Sequence, residues 1–535
     1  MRRSKKNLYS GTTKLILCAF FVAFVFYPFL QMVLKITPED FAKVVSASTF
    51  KAAILNSLKV ASITTCISVS LGLTLAVAIQ RTRIRFKGAL SVLLTLPMLI
   101  PSISHGMGLV VLFGTNGVLK NLLGLSSTIY GLTGIITGSV LYSYPVAFLM
   151  LNDVLKYQDS SPYEAATVLG IPKWRRTLVI TLPYLVKPLI STVFTVFTMV
   201  VTDYGVPLMI GGKTTTLAVM MYQEVLGQLN FGKGSIIGLF LLIPALISFL
   251  VNAIIKSRAK LSYITKPFDL KKNRVRDSLS YLFCGTVLLA VMILFLAFCT
   301  IAFTKKYPSD PTPTFNNVLK MLALRGDQSL ANSLIIAVVV SAVGIVVAFI
   351  TAYLTTRMPS RLSSLLHLFS ITSLAVPGVV LGLSYAMTFG GSFLYGTMAI
   401  LILANIMHFI ASPYQMMYNC LSKMNENLES VGQTLGIGRL RVVVDVIIPQ
   451  CRSTVLEMLS YFFVNSMMTI SAVSFLANVN TKPLSLMIGQ FEGQVLYECA
   501  AVVSLVILAV NLIIKGTVYL INSRAAKRVT VNPVK

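Results

Sequence analysis

Long apolar runs alternate with short polar segments along the whole chain, and the sequence runs through the alternation twice. A helix needs about 18–20 apolar residues to cross a bilayer. Runs of about that length fall near 15–34, 54–79, 89–113, 129–151, 184–206 and 236–255, and again near 281–303, 331–355, 363–388, 396–420, 453–476 and 499–521. Helices are expected there because only a helix satisfies its own backbone in lipid without a closed barrel. The third run contains Pro97 and Pro101. The first run follows MRRSKK and lacks a small-x-small cleavage site, so it reads as an uncleaved first helix. The expected fold is an all-α polytopic membrane protein with about 12 transmembrane helices.

The polar positions show that the second set of spans repeats the first. Asn56-Ser57-Leu58 matches Asn332-Ser333-Leu334 at an offset of 276, and Arg81, Pro101 and Gly106 meet Arg357, Pro377 and Gly382 at the same offset. Further on the offset falls to 266, so the second half has lost about ten residues, placed here in the loop before its fourth span. An even number of spans per half makes the repeats parallel, related by an axis along the membrane normal. The chain divides into a first six-helix half (1–256), a basic linker (257–280) and a second six-helix half (281–535).

Charge fixes the expected orientation. About 31 of the 45 lysines and arginines fall on the side of the N-terminus, the linker and the two loops described next, and about 12 on the other. This positive-inside asymmetry makes both termini cytoplasmic and explains the net charge of +28 without nucleic acid. Only 12% of residues are charged, about half the share in a soluble protein. The seven cysteines form no CxxC pair and read as small buried hydrophobes.

Two of the cytoplasmic segments carry a pattern. In the loop 153–183, Glu164-Ala165-Ala166 is followed by Gly170, then Lys173, Arg175 and Arg176, and by Ile180, Leu182 and Pro183. In the loop 421–449, Gly436, Arg441 and Pro449 fall 266 residues after Gly170, Arg175 and Pro183. The second copy is degenerate at its head. Ser430 stands at the Glu164 position, and Glu429 sits one residue early, about 100° around a helix. The first loop resembles the EAA loop of binding-protein-dependent, type I ABC importer permeases, and the second is similar to it more loosely. The resemblance implies a MetI-like five-helix core in each half, two ABC ATPase subunits docked at the loops, and an extracytoplasmic binding protein at the other face. Glu164, Ala165, Ala166, Gly170, Arg175, Pro183, Glu429, Gly436, Arg441 and Pro449 would be the ATPase-coupling residues. ATP and Mg would belong to the partner ATPase, with no cofactor bound by this chain, and the location would be the bacterial inner membrane. Fused permeases of this shape resemble those for ferric iron, thiamine and 2-aminoethylphosphonate. The segment TDYGVPLMIGG, from Thr202, leans toward the phosphonate type.

Chemistry of the chain's own is not indicated. Gly211-Gly212-Lys213-Thr214 lacks the earlier glycine of a phosphate-binding loop, since Pro207 stands there. The three histidines have no metal-ligand spacing, and no catalytic constellation is present, so the chain reads as a transport subunit and not an enzyme. Polar groups inside spans are costly and mark cavities. Asp203, Tyr204, Asn465, Ser466 and Thr469 are the candidate pathway residues. Asp203 lies 20 residues past Pro183, near the outer end of the fifth span, where it reads either as an outer gate or rim, or as a solvated helix end. The rival to an ABC permease is an ion-coupled secondary transporter with a fused parallel repeat, which would leave the two loops unexplained.

Overall fold

A computed structural model describes residues 2–256, 266, 268, 270 and 273–531, of which 2–10, 173, 253, 255, 256 and 525–531 are described by backbone alone. Most of the expected linker, and the last four residues of the basic tail, lie outside the described residues. The first half contains α1 (Gly11–Leu34), α2 (Ser48–Gln80), α3 (Lys87–Leu94), α4 (Ser102–Phe113), α5 (Leu132–Lys156), α6 (Ser161–Val168), α7 (Leu182–Val201), α8 (Gly205–Ile210), α9 (Leu217–Tyr222) and α10 (Phe231–Lys256). The second half follows with α11 (Arg274–Ala302), α12 (Asp327–Thr356), α13 (Arg361–Thr372), α14 (Gly378–Phe389), α15 (Met398–Phe409), α16 (Ala411–Ser422), α17 (Leu428–Thr434), α18 (Arg452–Met468), α19 (Leu484–Gly493) and α20 (Tyr497–Val531). A two-stranded ribbon, Thr304–Lys306 with Asp310–Pro313, decorates the loop after α11.

Among the described residues nine helices are long and apolar enough to cross a membrane, and two bent pairs raise the number to 11. The 17-residue α18, counterpart of α7, stands where the remaining expected span falls. The third span of each half is not one helix, as the apolar pattern suggested. Ile100 and Val376 precede Pro101 and Pro377, and the proline ring pushes each into extended backbone. Helices α13 and α14 consequently meet at 106°.

The Asn-Ser repeat has a structural reason. The Ser57 hydroxyl accepts the Leu217 N–H at the start of α9 (2.8 Å), and Ser333 does the same for Leu484 at the start of α19 (2.7 Å). The Asn56 amide donates to the Thr215 carbonyl, and Asn332 to those of Asn480 and Lys482. Each motif therefore caps the short helix that follows the broken fifth span of its own half. The ten missing residues are where the offsets put them. Between α4 and α5 lie residues 114–131, whereas 390–397 suffice between α14 and α15.

The first helix of each half packs on the other half. Helix α1 lies along α13 and α14, where the Tyr385 hydroxyl donates to the Phe24 carbonyl (2.6 Å) and Phe26 meets Phe369. Helix α11 lies along α4, with Leu294 and Phe298 against Gly108, and along α20. On the pseudo-twofold axis the repeat meets itself. Tyr204 and Ile470 are equivalent at an offset of 266, and the Tyr204 hydroxyl donates to the Ile470 carbonyl (3.3 Å). Beside them Gly205 abuts Ser102 and Gly378 abuts Ser471, the same close approach with glycine and serine exchanged.

Candidate functional sites

Both loops build the same turn. Gly170 (φ +67°) ends α6 and Gly436 (φ +73°) ends α17, each in the left-handed region with open space around it, so backbone conformation and not crowding demands glycine. The N–H of Ile171 bonds the Ala166 carbonyl, and that of Ile437 bonds Gly432, which caps each helix with an identical geometry. A second short helix follows in each loop, Lys173–Arg176 and Arg439–Val442. Arg175 and Arg441 are exposed, and Arg441 pairs with Asp445 at 3.2 Å. Ala166 is buried, Ala165 exposed, and Pro183 and Pro449 open the helical segments that re-enter the bundle.

The heads of the two loops differ. Glu164 is exposed, and Lys266 of the linker reaches it at 2.8 Å while Ser160 donates from below at 3.1 Å. These bonds hold the Glu164 carboxyl below the usual carboxylate range and raise the Lys266 ammonium. Ser430 is exposed at the equivalent position. Glu429 does not join it at the surface, contrary to its place among the expected coupling residues. It turns inward onto Arg357 at the end of α12, with Nε–Oε1 2.9 Å and Nη2–Oε2 2.7 Å, and both side chains are nearly sealed, 4% and 6% exposed. Tyr353 donates a third bond at 3.1 Å. Burial alone would raise the Glu429 carboxyl, but the Arg357 bonds outweigh it and the group ends below its ordinary value. The physical reason is register. Shifted by 266, Glu429 lands on Tyr163, which bonds Gln158 and Thr181, and Gln158 in turn holds Arg81, the counterpart of Arg357. The equivalent of Arg357 also lies under an aromatic ring, Phe268, at 3.7 Å.

Sequence reasoning missed the apolar part of the loops. Leu169, Trp174, Leu435 and Leu440 are each at least 67% exposed, and the first two map onto the last two at the repeat offset. The signal available was the lone tryptophan of the chain standing in a charged loop.

A cavity of about 280 Å³ lies between the halves. The first half contributes Ser102, Tyr142, Thr198 and Asp203, and the second Ser373, His408, Tyr461, Asn465 and Thr469. Its depth follows from α20. Ser504 lies seven residues into that helix, about 10 Å along its axis, and bonds Ser104. Asn511 lies fourteen residues in, about 21 Å, and bonds the Leu99 carbonyl. Ser102 falls between these levels and lines the cavity together with Asp203. Asp203 lies on the wall of this cavity between the two halves, just past the end of α7. Its carboxylate accepts the N–H groups of Gly205 (3.3 Å) and Val206 (3.1 Å), capping α8 where α7 has broken.

Of the other candidate pathway residues, Asn465 and Thr469 line this cavity. Tyr204 lines a second one of about 320 Å³ beyond it, with Tyr222, Lys482 and Gln490. Ser466 is buried and lines neither. Tyr204 stacks on Tyr222 at 4.7 Å, Phe475 approaches that ring at 6.3 Å, and Ile470 lines both cavities.

Residues 68–261 and 344–527 each match the family described as "Binding-protein-dependent transport system inner membrane component". The chain is 25% identical over 511 residues to the ferric transport system permease protein FbpB of Actinobacillus pleuropneumoniae, covering 90% of this chain and 73% of the relative. It is 26% identical to a putative ferric transport system permease protein, FbpB 1, of Haemophilus influenzae, covering 88% and 78%. The molybdenum transport system permease protein ModB of Azotobacter vinelandii is 32% identical over 181 residues, 32% of this chain and 80% of that protein. A solved bacterial alginate ABC transporter aligns with 49% of this chain and 99% of its own matched chain, at 18% identity and a TM-score of 0.41. Because two copies of the family's signature span well over half of one polypeptide, the chain belongs to the binding-protein-dependent transport system inner membrane components, and is a multi-pass permease component of an ABC importer.

Proposed function

We propose that this chain forms the whole translocation pathway of a ferric iron importer, with both permease halves in one polypeptide. Two ATPase subunits dock at its two coupling loops, and an extracytoplasmic binding protein delivers the cargo. The observation that carries the docking reading is the repeated loop: a short helix, a left-handed glycine, a second short helix and an exposed apolar pair, built twice. Apolar residues rimmed by charge on an otherwise polar loop suit a protein partner. The pathway then switches access as the ATPases close, a two-state rigid-body change biased through these contacts. The ferric reading is supported by relatives that align over about nine-tenths of the chain and bear that name, and we favour it over the lean toward aminoethylphosphonate.

The test is reconstitution of the chain with the ATPase and binding protein of its own transport system in liposomes. ATP-dependent accumulation of ferric iron, stimulated by the iron-loaded binding protein, is expected. Failure of an ATPase to associate, or iron uptake that follows an ion gradient and ignores ATP, would overturn the reading.

A further inference from the structure

We propose that the central cavity is a transit site for a hard multivalent cation, with Asp203 as its charged ligand, so that the permease itself selects against anions. This rests on the ferric import reading and assigns the cargo a place inside the chain.

The first support is charge. Among the described residues Asp203 is the one charged side chain on the cavity wall, and neither lysine nor arginine lines it. An acidic side chain buried inside a membrane protein is costly and is kept where it meets a pathway. An oxyanion entering the cavity would meet that carboxylate with no cation to pair with. An aminoethylphosphonate could offer its ammonium to Asp203 but would leave its phosphonate uncompensated.

The second support is the donor set. Tyr142, Asp203 and Tyr461 line the same cavity, so a carboxylate and two phenols from the two halves face a common space. His408 and Asn465 add a nitrogen donor and an amide oxygen to the same wall. Oxygen-rich ligands of this kind suit hard cations. His408 is the repeat equivalent of Tyr142, and Thr469 that of Asp203, so the axis passes between chemically unlike partners. The wall also holds unused polar capacity. Thr198 Oγ1, Ser373 Oγ and His408 Nδ1 are buried with no hydrogen-bond partner among the described residues.

The third support is weakness. Among the described residues no group of three or more His, Cys, Asp or Glu could hold a metal. One carboxylate among neutral donors fits a site that must release what it receives, since passage requires binding strong enough to admit and weak enough to leave. The cavity volume matches the liquid volume of about nine waters, enough for a cation with its first hydration shell. Asp203 also caps α8, and Tyr204, which lines the second cavity, follows it directly. A cation that engages the carboxylate therefore acts on the residue next to one that lines the second cavity.

The experiment uses terbium(III) as a hard trivalent probe, whose emission is sensitised by nearby tyrosine. Purified full-length chain is titrated in detergent, alongside Asp203→Asn, Asp203→Glu, Tyr142→Phe and a half-buried control outside the cavity, Asp310→Asn. Asparagine retains an acceptor for the α8 cap, and Tyr142→Phe removes only a hydroxyl, so folding is preserved. Asp203→Asn should weaken terbium binding at least 10-fold, Asp203→Glu should restore most of it, Tyr142→Phe should weaken it several-fold, and Asp310→Asn should change nothing. Iron uptake by Asp203→Asn in the reconstituted system should fall at least 10-fold while ATP hydrolysis continues. Unchanged terbium affinity, or wild-type iron uptake, in Asp203→Asn overturns the proposal. If wild type carries no iron but the Asp203-dependent terbium site is present, the cation site stands and the ferric reading fails.

Discussion

Replacing Glu429 with glutamine tests what fixes the second coupling loop to the bundle. The wild-type pair is bidentate, with nearly sealed side chains, and removing one member leaves the other charge buried. Breaking such a pair costs about 3–5 kcal/mol. Arg357 keeps two carbonyl partners, Met424 at 3.2 Å and Asn425 at 2.6 Å, and these place the cost at the lower end. About 3 kcal/mol corresponds to roughly 150-fold in the opening equilibrium of the loop. Amide hydrogen exchange on the purified chain reads this directly as lost protection across residues 425–442, with Ser430→Ala as a neighbouring exposed control that should change nothing. A second arm combines Arg357→Met with Glu429→Leu. The double variant should be better protected than either single one, because no uncompensated charge remains. Acid should imitate Glu429→Gln. A carboxyl held below its ordinary value stabilises the fold above about pH 4.3, and that contribution is lost as pH falls through the lowered value. Unaltered protection in Glu429→Gln, or a double variant that suffers the sum of both single losses, would refute the anchoring role.

Three further outcomes are expected. Gly170→Val and Gly436→Val should each uncouple ATP hydrolysis from transport in the reconstituted complex, since a β-branched residue is strained at φ near +70°; full coupling in either would show that the turn is dispensable. Glu164→Ala should impair coupling more than Ser430→Ala, because only the first loop presents an exposed carboxylate at its head position, and equal defects would mean that the heads are interchangeable. Single cysteines replacing Lys213 and Asp310 in a cysteine-free chain should react with an impermeant thiol reagent in intact cells and one replacing Arg441 should not, a result that reverses if the charge asymmetry has been read the wrong way round.

The loops were legible because their information is local. A glycine at a fixed distance from a small-residue helix survives in both copies, and the conformation it permits is the one observed at Gly170 and Gly436. The Asn-Ser pair was visible as a repeat, but its role was not, because Leu217 and Leu484 lie about 150 residues further on. The breaks at Pro101 and Pro377 were under-read, since hydropathy registers only that a segment is apolar and not that it turns back. Asp203 was read only from its distance along α7, which ends two residues before it, and its place on a cavity shared with the second half became apparent only from the packing. Glu429 was assigned by nearness in sequence to a motif position, whereas its direction is set by Arg357, 72 residues away.

The exchange of first helices bears on how the chain comes off the ribosome. When the first half has been synthesised, the groove on α4 around Gly108 that α11 will fill is still open, and α1 touches its own half only lightly, at α10, while its larger surfaces on α13 and α14 do not yet exist. Neither half can reach its final form until residues beyond 380 are inserted and α1 finds Tyr385. Joining the halves in one polypeptide turns that wait from a search for a second molecule into the closing of a tethered ring, at an effective concentration set by chain length rather than by expression level. A chain split in the linker would therefore assemble in proportion to the product of the two fragment concentrations, and each fragment alone would present an unfilled helix-sized groove to the bilayer.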